Sequence, residues 1–595
     1  MSDMTAATVA KARLPVIGLG AGSGFAVWLL AEALQQDVLS PSLWLAAFAF
    51  VGSLCCGALA MIGPLPIHQA LKGGGLLAVP MTGLLLLASL RFSVATDLLD
   101  GPALVLMAIA LGGVSCSFLL MWLRGAQDWL SYDALSAASW GIAFRLGCGI
   151  AFVFVLWGLG LLSNALLGLV NITFLEDIAD TDWLALTLSG AAFGLGLAVV
   201  QELGDGHAPE LLFRLISLLL VPVFVVVGLF LLAIPFQGLS NAFGHLSSAA
   251  TLMAMAGVIG TLICVVLYRF RQPRGLTGLT TRALAVALGL VAVLCIWAVM
   301  MRIFQYGWTP DRVYAAALAA LVLLHGVTYA VVAVTGGVSW ATKLRRAVVA
   351  LGLVTAAWLA ILLSPLADAG RISAASQIAR FNAGEIPAHE LPLWEMAHDW
   401  GRAGQAALAT LEAAAQAQGD GDLLERLEIA RAADTRWEAL AAREPNTADL
   451  AARLSALLPV QPAGQVIDAD YFSEIEAFNL NRWISSCELV LQNGRRGCAA
   501  IVEPLGPLGV GEQVGGDTTL LVLVPPHDLT RLEFVPLTRR NGKTEAGYSI
   551  TLGNSAHSAA GAAELLGTVQ DGLYEVSPSR QMTLKLGEME VLSQP

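Results

Sequence analysis

Long apolar runs alternate with short polar connections over the first 365 positions, and then the pattern changes. Eleven runs approach the roughly 20 residues needed to cross about 30 Å of hydrocarbon as a helix. They are Leu14–Leu34, Leu43–Gly63, Leu76–Leu90, Ala103–Leu123, Leu146–Leu167, Trp183–Val200, Leu211–Ile234, Leu246–Tyr268, Ala283–Met301, Val313–Val334 and Ala347–Leu363. The third is the shortest and holds Pro80, so it is expected to tilt, kink or stop short of a full crossing. No run of comparable length follows Pro365.

The remainder reads in two parts. From Ile372 to Leu458 apolar residues recur at helical spacing in Trp400–Ala417 and Leu423–Ala442, with breaks at Gly419-Asp420-Gly421 and Glu444-Pro445-Asn446. Three or four helices are expected there. After Pro459 and Pro462 come short β segments: Glu488–Leu491, Ala499–Val502, Thr519–Val524, Leu532–Val535, Ser549–Leu552, Leu573–Val576, Met582–Leu586 and Glu590–Leu592. Alternation such as Met582-Thr583-Leu584-Lys585-Leu586 suits a sheet with one wet face. The expected architecture is a membrane all-α helical bundle of about eleven transmembrane helices (1–365), a helical segment (366–460) and a β-rich domain (461–595). The last two form an α+β domain ending in a mostly antiparallel sheet or small sandwich.

Loop charge gives the bundle an expected orientation, because Lys and Arg accumulate on the cytoplasmic side. One set of connections carries Lys11, Arg13, Lys72, Arg124, Arg145, Arg214, Arg269, Arg271, Arg274, Arg282, Lys343, Arg345 and Arg346. The alternate set is mostly acidic or neutral and includes Asp37, Asp97, Asp100, Glu176, Asp177, Asp180 and Asp182. A cytoplasmic N-terminus and eleven crossings place the C-terminal domain in the periplasm, with the chain in a bacterial inner membrane. The first span, with its basic flank and Ala31-Glu32-Ala33, superficially copies a signal peptide, but it is as long as the other spans. Its track Gly18, Gly20, Gly22 and Gly24 suits close helix packing.

Composition supports the class: 56% hydrophobic and 13% charged residues exceed what a soluble core hides. Most of the net charge of −12 lies beyond residue 365, which removes an electrostatic footprint for nucleic acid. Six of the eight cysteines lie in or beside spans and read as small packing residues. The other two, Cys487 and Cys498, flank Gln492-Asn493-Gly494, a hairpin signal. A two-residue turn would set Cys487 opposite Ala500, so direct pairing needs a four-residue loop, Leu491 to Gly494. A periplasmic disulfide and a reduced pair both remain open, and no Cys-x-x-Cys or neighbouring His points to metal.

Chemistry is sparse. Glu32, Arg145, Glu202, Arg214 and Arg302 fall near predicted span ends, where snorkelling accounts for them. His325 is the one titratable group well inside a span. Glu176 and Asp180, at i, i+4, could share a helical face and hold a divalent ion, although a solvated acidic loop explains them as well. No nucleophile elbow, zinc motif or phosphate loop is present, so no catalytic residue, cofactor or metal ligand is assigned.

The most distinctive string runs from Arg302 to Tyr314 between the ninth and tenth spans. Gly307 can supply a turn, Thr309 an N-cap, Pro310 the first helical position and Asp311 favourable charge. Tyr306, Trp308 and Tyr314 suit an interfacial aromatic belt. The candidate outer-face site is therefore Arg302, Tyr306, Trp308, Asp311, Arg312 and Tyr314. Here the chain resembles a family of bacterial multi-pass inner-membrane proteins, domain of unknown function 4153. The resemblance rests on Tyr306, Gly307, Thr309, Arg312 and Tyr314, and on a second segment with Ile372, Ser373, Ser376, Gln377, Arg380, Gly384, Gly401 and Gly404. It implies an inner-membrane location and no activity.

Three functional readings follow. The leading one is a non-enzymatic envelope protein whose bundle anchors a periplasmic domain that binds an envelope protein, lipid or glycan. The second is a transporter or lipid-handling carrier, which requires a cavity reaching mid-membrane. The third is a transferase using a lipid-linked substrate, which requires the Glu176–Asp182 acids to converge with Arg302 or Arg312. The lipid bilayer is a partner in all three.

Overall fold

The structure, a computed structural model, describes residues 6–125, 127, 129–168, 174–202, 208–237, 248–441, 447–502, 517–526, 528–540, 543–552, 559–577, 583–586 and 589–592. Its contacts divide the chain into two compact units, Met1–Leu424 and Glu425–Pro595.

The first unit begins with α1 (Ala6–Gln35), α2 (Pro41–Met61), α3 (Ile67–Ser89), α4 (Pro102–Leu123), α5 (Tyr132–Gly168), a short α6 (Phe174–Ala179) and α7 (Asp182–Glu202). It continues with α8 (Ala208–Leu218), α9 (Leu220–Gln237), α10 (Ser248–Arg269), α11 (Gly275–Tyr306), α12 (Pro310–Thr335) and α13 (Trp340–Leu363). Ten of these helices are long and apolar enough to cross a membrane, and this is a multi-pass membrane protein. The remaining predicted span, the seventh, is divided at Leu219, leaving α9 as a shorter apolar helix. Pro222 has no N–H to offer the Leu218 carbonyl, which places the interruption.

Two expectations change. The third span is not short: α3 runs 23 residues from Ile67, taking Lys72 and Gly73–Gly75 into the helix, and Pro80 lies within it. The fifth is much longer than the run Leu146–Leu167. α5 has 37 residues, about 55 Å at 1.5 Å each, so its first three turns extend beyond the hydrocarbon run. Arg145, just before that run, does not snorkel. It is buried and its Nη2 donates to the Ala60 carbonyl at 3.3 Å.

The closest helix approach joins α1 and α7. A Cβ on Gly20 would collide with the Gly190 carbonyl, one on Gly24 with the Leu186 carbonyl, and one on Gly194 with the Val16 carbonyl. Backbones meet because these positions lack side chains. Gly18 and Gly22, on the other face, have nothing within 4 Å. Only half of the predicted glycine track therefore makes the crossing.

The bundle has two apolar clusters. One gathers residues of α1–α5 and α7 with Leu359 and Leu363 of α13; the other gathers residues of α9–α13 with Tyr132 of α5. Arg345 on α13 ties the second cluster together at its basic end. It donates to the carbonyls of Leu267 and Phe270 in the last turn of α10, and lies 3.6 Å from Asp133. These carbonyls have no partner within their own helix, and a guanidinium supplies it.

Beyond α13 the first unit holds α14 (Ala369–Asn382), α15 (Leu393–His398) and α16 (Gly401–Gln418). Then come α17 (Gly421–Ala432), which straddles the division, α18 (Arg436–Ala441) and α19 (Thr447–Leu457). Six helices replace the three or four expected. The predicted Leu423–Ala442 helix breaks before Arg436, where Thr435 accepts from the Glu438 N–H and starts a new helix.

The second unit carries β1 (Val460–Gln461), α20 (Ala477–Glu488), β2 (Cys498–Val502), β3 (Asp517–Leu523), β4 (Leu532–Arg540), β5 (Lys543–Ala546) and β6 (Ile550–Leu552). After these come α21 (Ala559–Gln570), β7 (Glu575–Ser577), β8 (Thr583–Leu586) and β9 (Met589–Leu592). The main sheet has order β1-β2-β3-β4-β5, with β6 also on β4; only β1 and β2 are parallel. β7, β8 and β9 form a separate antiparallel sheet. The main sheet has no wet face at its centre. Ala500, Leu521, Leu523, Val535 and Leu537 pack under α19 and α20, while Ala499, Ile501, Leu520, Val522 and Phe534 pack under α21. Alternate residues point to opposite faces, so the unbroken run Leu520–Val524 serves both layers.

Cys487 and Cys498 form a disulfide, with S–S 2.04 Å and Cα–Cα 4.8 Å. Glu488–Leu491 is not a strand. Cys487 lies in the last turn of α20, so the disulfide ties a helix to the first residue of β2 and spans a short antiparallel hairpin whose β-bridge is Val490–Arg496. Between them the Leu491 N–H donates to Arg495 O and the Gly494 N–H to Leu491 O, closing a three-residue loop with Gly494 at φ 76°. The loop docks on α21: Asn493 Nδ2 donates to Ala563 O at 2.8 Å and Arg495 Nη1 to Asp571 Oδ1 at 2.8 Å. That charged hydrogen bond holds the Arg495 guanidinium above its ordinary pKa.

Candidate functional site

The Arg302–Tyr314 string folds as a tight link between α11 and α12. Gly307 ends α11 at φ 73°, a left-handed conformation natural to glycine, and Pro310 stands at the first turn of α12. Thr309 occupies the N-cap position but its hydroxyl makes no capping bond. The carbonyls that end α11 are satisfied by a side chain of α12 instead. Arg312 Nη1 donates to the carbonyls of Gly307 at 2.8 Å and Tyr306 at 3.2 Å, and its guanidinium lies 5.3 Å from the Tyr306 ring centroid. Arg302 approaches the same ring at 5.9 Å. Asp311 is exposed, and Tyr314 packs against the first apolar cluster.

The second segment of the resemblance meets the first. From α14, Gln377 Nε2 donates to Tyr306 O at 3.1 Å and Trp308 O at 2.9 Å, and Ser376 Oγ accepts from the Trp308 N–H at 3.3 Å. Arg380 Nη2 donates to Gln305 O at 3.2 Å. A Cβ on Gly307 would lie 2.8 Å from Gln377 Nε2, so glycine also allows this approach. A parallel arrangement surrounds Arg91 in the α3–α4 link. Arg91 donates to the carbonyls of Leu362 (2.8 Å) and Ser364, while its own carbonyl accepts from the Arg402 N–H at 2.9 Å. Sequence reasoning found the string but not its use: backbone groups of Gln305, Tyr306 and Trp308 hold α14 against this link, as Arg91 holds α16 against the α3–α4 link.

The acidic cluster does not join this string. Glu176, Asp180 and Asp182 are exposed, and among the described residues none of them pairs with Arg302 or Arg312. The side chain of Asp177 lies outside the described residues. No group of three or more His, Cys, Asp or Glu suited to a metal occurs among the described residues.

Instead, a cavity lies between the two largest apolar clusters of the bundle and opens to the outside at Gly257 and Thr261, both exposed. A chamber of about 480 Å³ is lined by Val114 (α4) and Trp140 (α5) on one side and by residues of α10–α13 on the other. His325, Tyr329, Cys264, Thr261 and Thr355 give it polar groups. His325 Nδ1–H donates to Leu321 O at 2.9 Å, leaving Nε2 as the ring's remaining polar atom. Tyr329 Oη is 3.5 Å from Cys264 Sγ, and Tyr132 Oη donates to Cys264 O at 2.9 Å. Gly257 and Gly260 also line the chamber, and a Cβ on either would meet nothing within 4 Å.

A second cavity, about 270 Å³, lies toward the Arg-rich end and shares Trp140 with the chamber. Arg124 and Arg145 line it with an aromatic wall in which Phe213 stacks edge-on with Trp140 at 5.3 Å and with Tyr268 at 5.1 Å.

No family model, curated protein or solved structure matches the chain. The functional reading therefore stands on the cavities and the links. Sequence reasoning singled out His325 but could not place it on a cavity. The signal for the chamber is Gly257 and Gly260, small residues three apart on one helical face, together with His325 and Tyr329 four apart on another.

Proposed function

We propose that this protein is a membrane carrier for an amphiphilic molecule, which it holds in the chamber between its two helix clusters. One observation carries the reading: a cavity of about 480 Å³ with polar groups at mid-span, within the size range of small-molecule sites. His325 lies fifteen residues into α12, about 22 Å along its axis, which is deep in the bilayer rather than at its surface. Polar groups there are costly and mark substrate paths. The anchor reading predicts no such chamber, and the transferase reading lacks its converging acids.

The finer placement belongs to the same proposal. With the shorter α9 as an eleventh crossing, the chain sits in a bacterial inner membrane with its N-terminus cytoplasmic and the Glu425–Pro595 unit periplasmic. Alternating loop charge supports that orientation, and so does a disulfide with both cysteines fully buried. A single cysteine at the exposed Ser485 should react with an impermeant maleimide from outside intact spheroplasts; reaction only after lysis contradicts the orientation. The likeness to domain of unknown function 4153 is proposed as kinship.

Function is tested by reconstituting the full chain in phosphatidylethanolamine and phosphatidylglycerol vesicles with a trace of fluorescent phosphatidylglycerol. Transfer between leaflets is read by dithionite quenching. Wild type should accelerate transfer and Gly260→Phe, which fills the chamber from an open position, should block it. Transfer equal to protein-free vesicles, or unchanged in Gly260→Phe, defeats the carrier reading.

A further inference from the structure

We infer that the Arg124/Arg145 cavity binds the anionic headgroup of the carried molecule, which makes the substrate class an anionic amphiphile of phosphate-ester type. This rests on the carrier reading for the word "carried", but the site itself stands on its own geometry.

The site is lined by residues of five helices, α4, α5, α7, α8 and α10, and of the α2–α3 link. Arg145 is 5% exposed, and its guanidinium is held in the wall: Nη2 donates to Ala60 O in the last turn of α2, and Nη1 lies 3.4 Å from where a Cβ on Gly141 would stand. A larger residue one turn earlier would crowd the guanidinium. Arg124, at the C-terminal end of α4, has Nη2 at 3.4 Å from Pro64 O in the α2–α3 link. It is exposed and lines the cavity, and among the described residues this is its one hydrogen bond. Two planar forks on one cavity suit bidentate binding of phosphate oxygens, which a single ammonium would bind only as a point charge.

What lies beyond the arginines gives the ligand its apolar part. The Trp140–Phe213–Tyr268 wall bounds the basic cavity, and Trp140 also lines the larger, mostly apolar chamber. A charged head on the guanidiniums and a chain along Trp140 into the chamber would use both spaces. A free anion would use only the first. Aromatic rings at the boundary between a polar and an apolar space suit such a ligand, since one edge stays apolar while a ring N–H or hydroxyl stays polar.

The test is binding to the purified full chain in a neutral maltoside, measured by calorimetry with three probes: didodecyl phosphate, didodecyl phosphocholine and inorganic phosphate. Didodecyl phosphate should bind best. Arg124→Gln should weaken it about tenfold, the loss of a hydrogen bond to a charged group. Arg124→Lys should recover part of that loss. Arg145→Lys keeps the buried charge but not the fork and should weaken binding with the fold intact by size exclusion. Equal binding of phosphate and phosphocholine amphiphiles overturns the anionic site. Inorganic phosphate binding as tightly as didodecyl phosphate overturns the amphiphile. Arg124-dependent binding without leaflet transfer leaves this site standing and defeats the carrier, whereas transfer indifferent to both arginines does the reverse.

Discussion

Gln377→Leu is the sharpest probe of how the α11–α12 link is held. Gln377 is 3% exposed and donates both amide hydrogens, to Tyr306 O at 3.1 Å and Trp308 O at 2.9 Å. Leucine nearly matches its volume and removes both donors. Two carbonyls then lose partners beside a buried side chain. At about 1–1.5 kcal/mol per bond the loss is about 2–3 kcal/mol, or roughly 30- to 150-fold in the folding equilibrium. Pulse proteolysis of the full chain in maltoside across a urea series reads that shift. Arg302→Gln is the control, because Arg302 is exposed, approaches the Tyr306 ring at 5.9 Å with no hydrogen-bond or ion-pair partner among the described residues, and should change stability by less than about 0.5 kcal/mol. If Gln377→Leu matches wild type while Arg302→Gln unfolds early, the string is held by Arg302 and the assignment of Gln377 as its clasp is wrong.

Other outcomes follow from the same structure. Gly190→Leu drives a side chain into the Gly20 backbone and should cost at least about 1–3 kcal/mol, whereas Gly18→Ala should be silent; equal melting of both by size exclusion after heating contradicts the crossing. Replacing Cys487 and Cys498 by serine opens a link of sequence separation 11, for which chain entropy gives about 2.8 kcal/mol, read as an earlier urea transition of the C-terminal unit in the full chain. No change would mean that the reduced unit is already as constrained. Arg345→Met leaves the Leu267 and Phe270 carbonyls without their guanidinium, while Asp133 keeps Arg271 at 3.5 Å, and should cost about 2 kcal/mol in the same assay, with Arg345→Lys retaining part; parity of Met with wild type would remove Arg345 from the packing account.

The spans were legible because apolar runs of that length have no other use, and even the third, doubted for Pro80, proves to be a full helix. The start of α5 was not legible. Tyr132–Arg145 mixes Ser, Ala, Arg and Asp and reads as a connection, so Arg145 was taken as a snorkelling end residue when it is a buried wall of a cavity. In the C-terminal unit α20 was missed although Leu480, Trp483, Ile484 and Cys487 repeat at i, i+3, i+4, i+7; the polar Asn481, Arg482, Ser485 and Ser486 between them masked the period. With that helix unread, the Asn493-Gly494 turn alone made the cysteines look like cross-strand partners. The disulfide is present, but by a different geometry. The clasp of Gln377 on Tyr306 and Trp308 and the chamber at Trp140 are contacts between distant segments. A pattern along the chain shows which face a residue shares, not what that face meets.

The most direct measurement of the central claim is an electron cryomicroscopy map of the full chain purified in nanodiscs of phosphatidylethanolamine and phosphatidylglycerol. The carrier account predicts a continuous density with its head at Arg124 and Arg145 and its tail past Trp140 toward His325, lost in Gly260→Phe. A chamber empty or holding only water in the wild type, with lipid ordered solely on the outer helix faces, would contradict it.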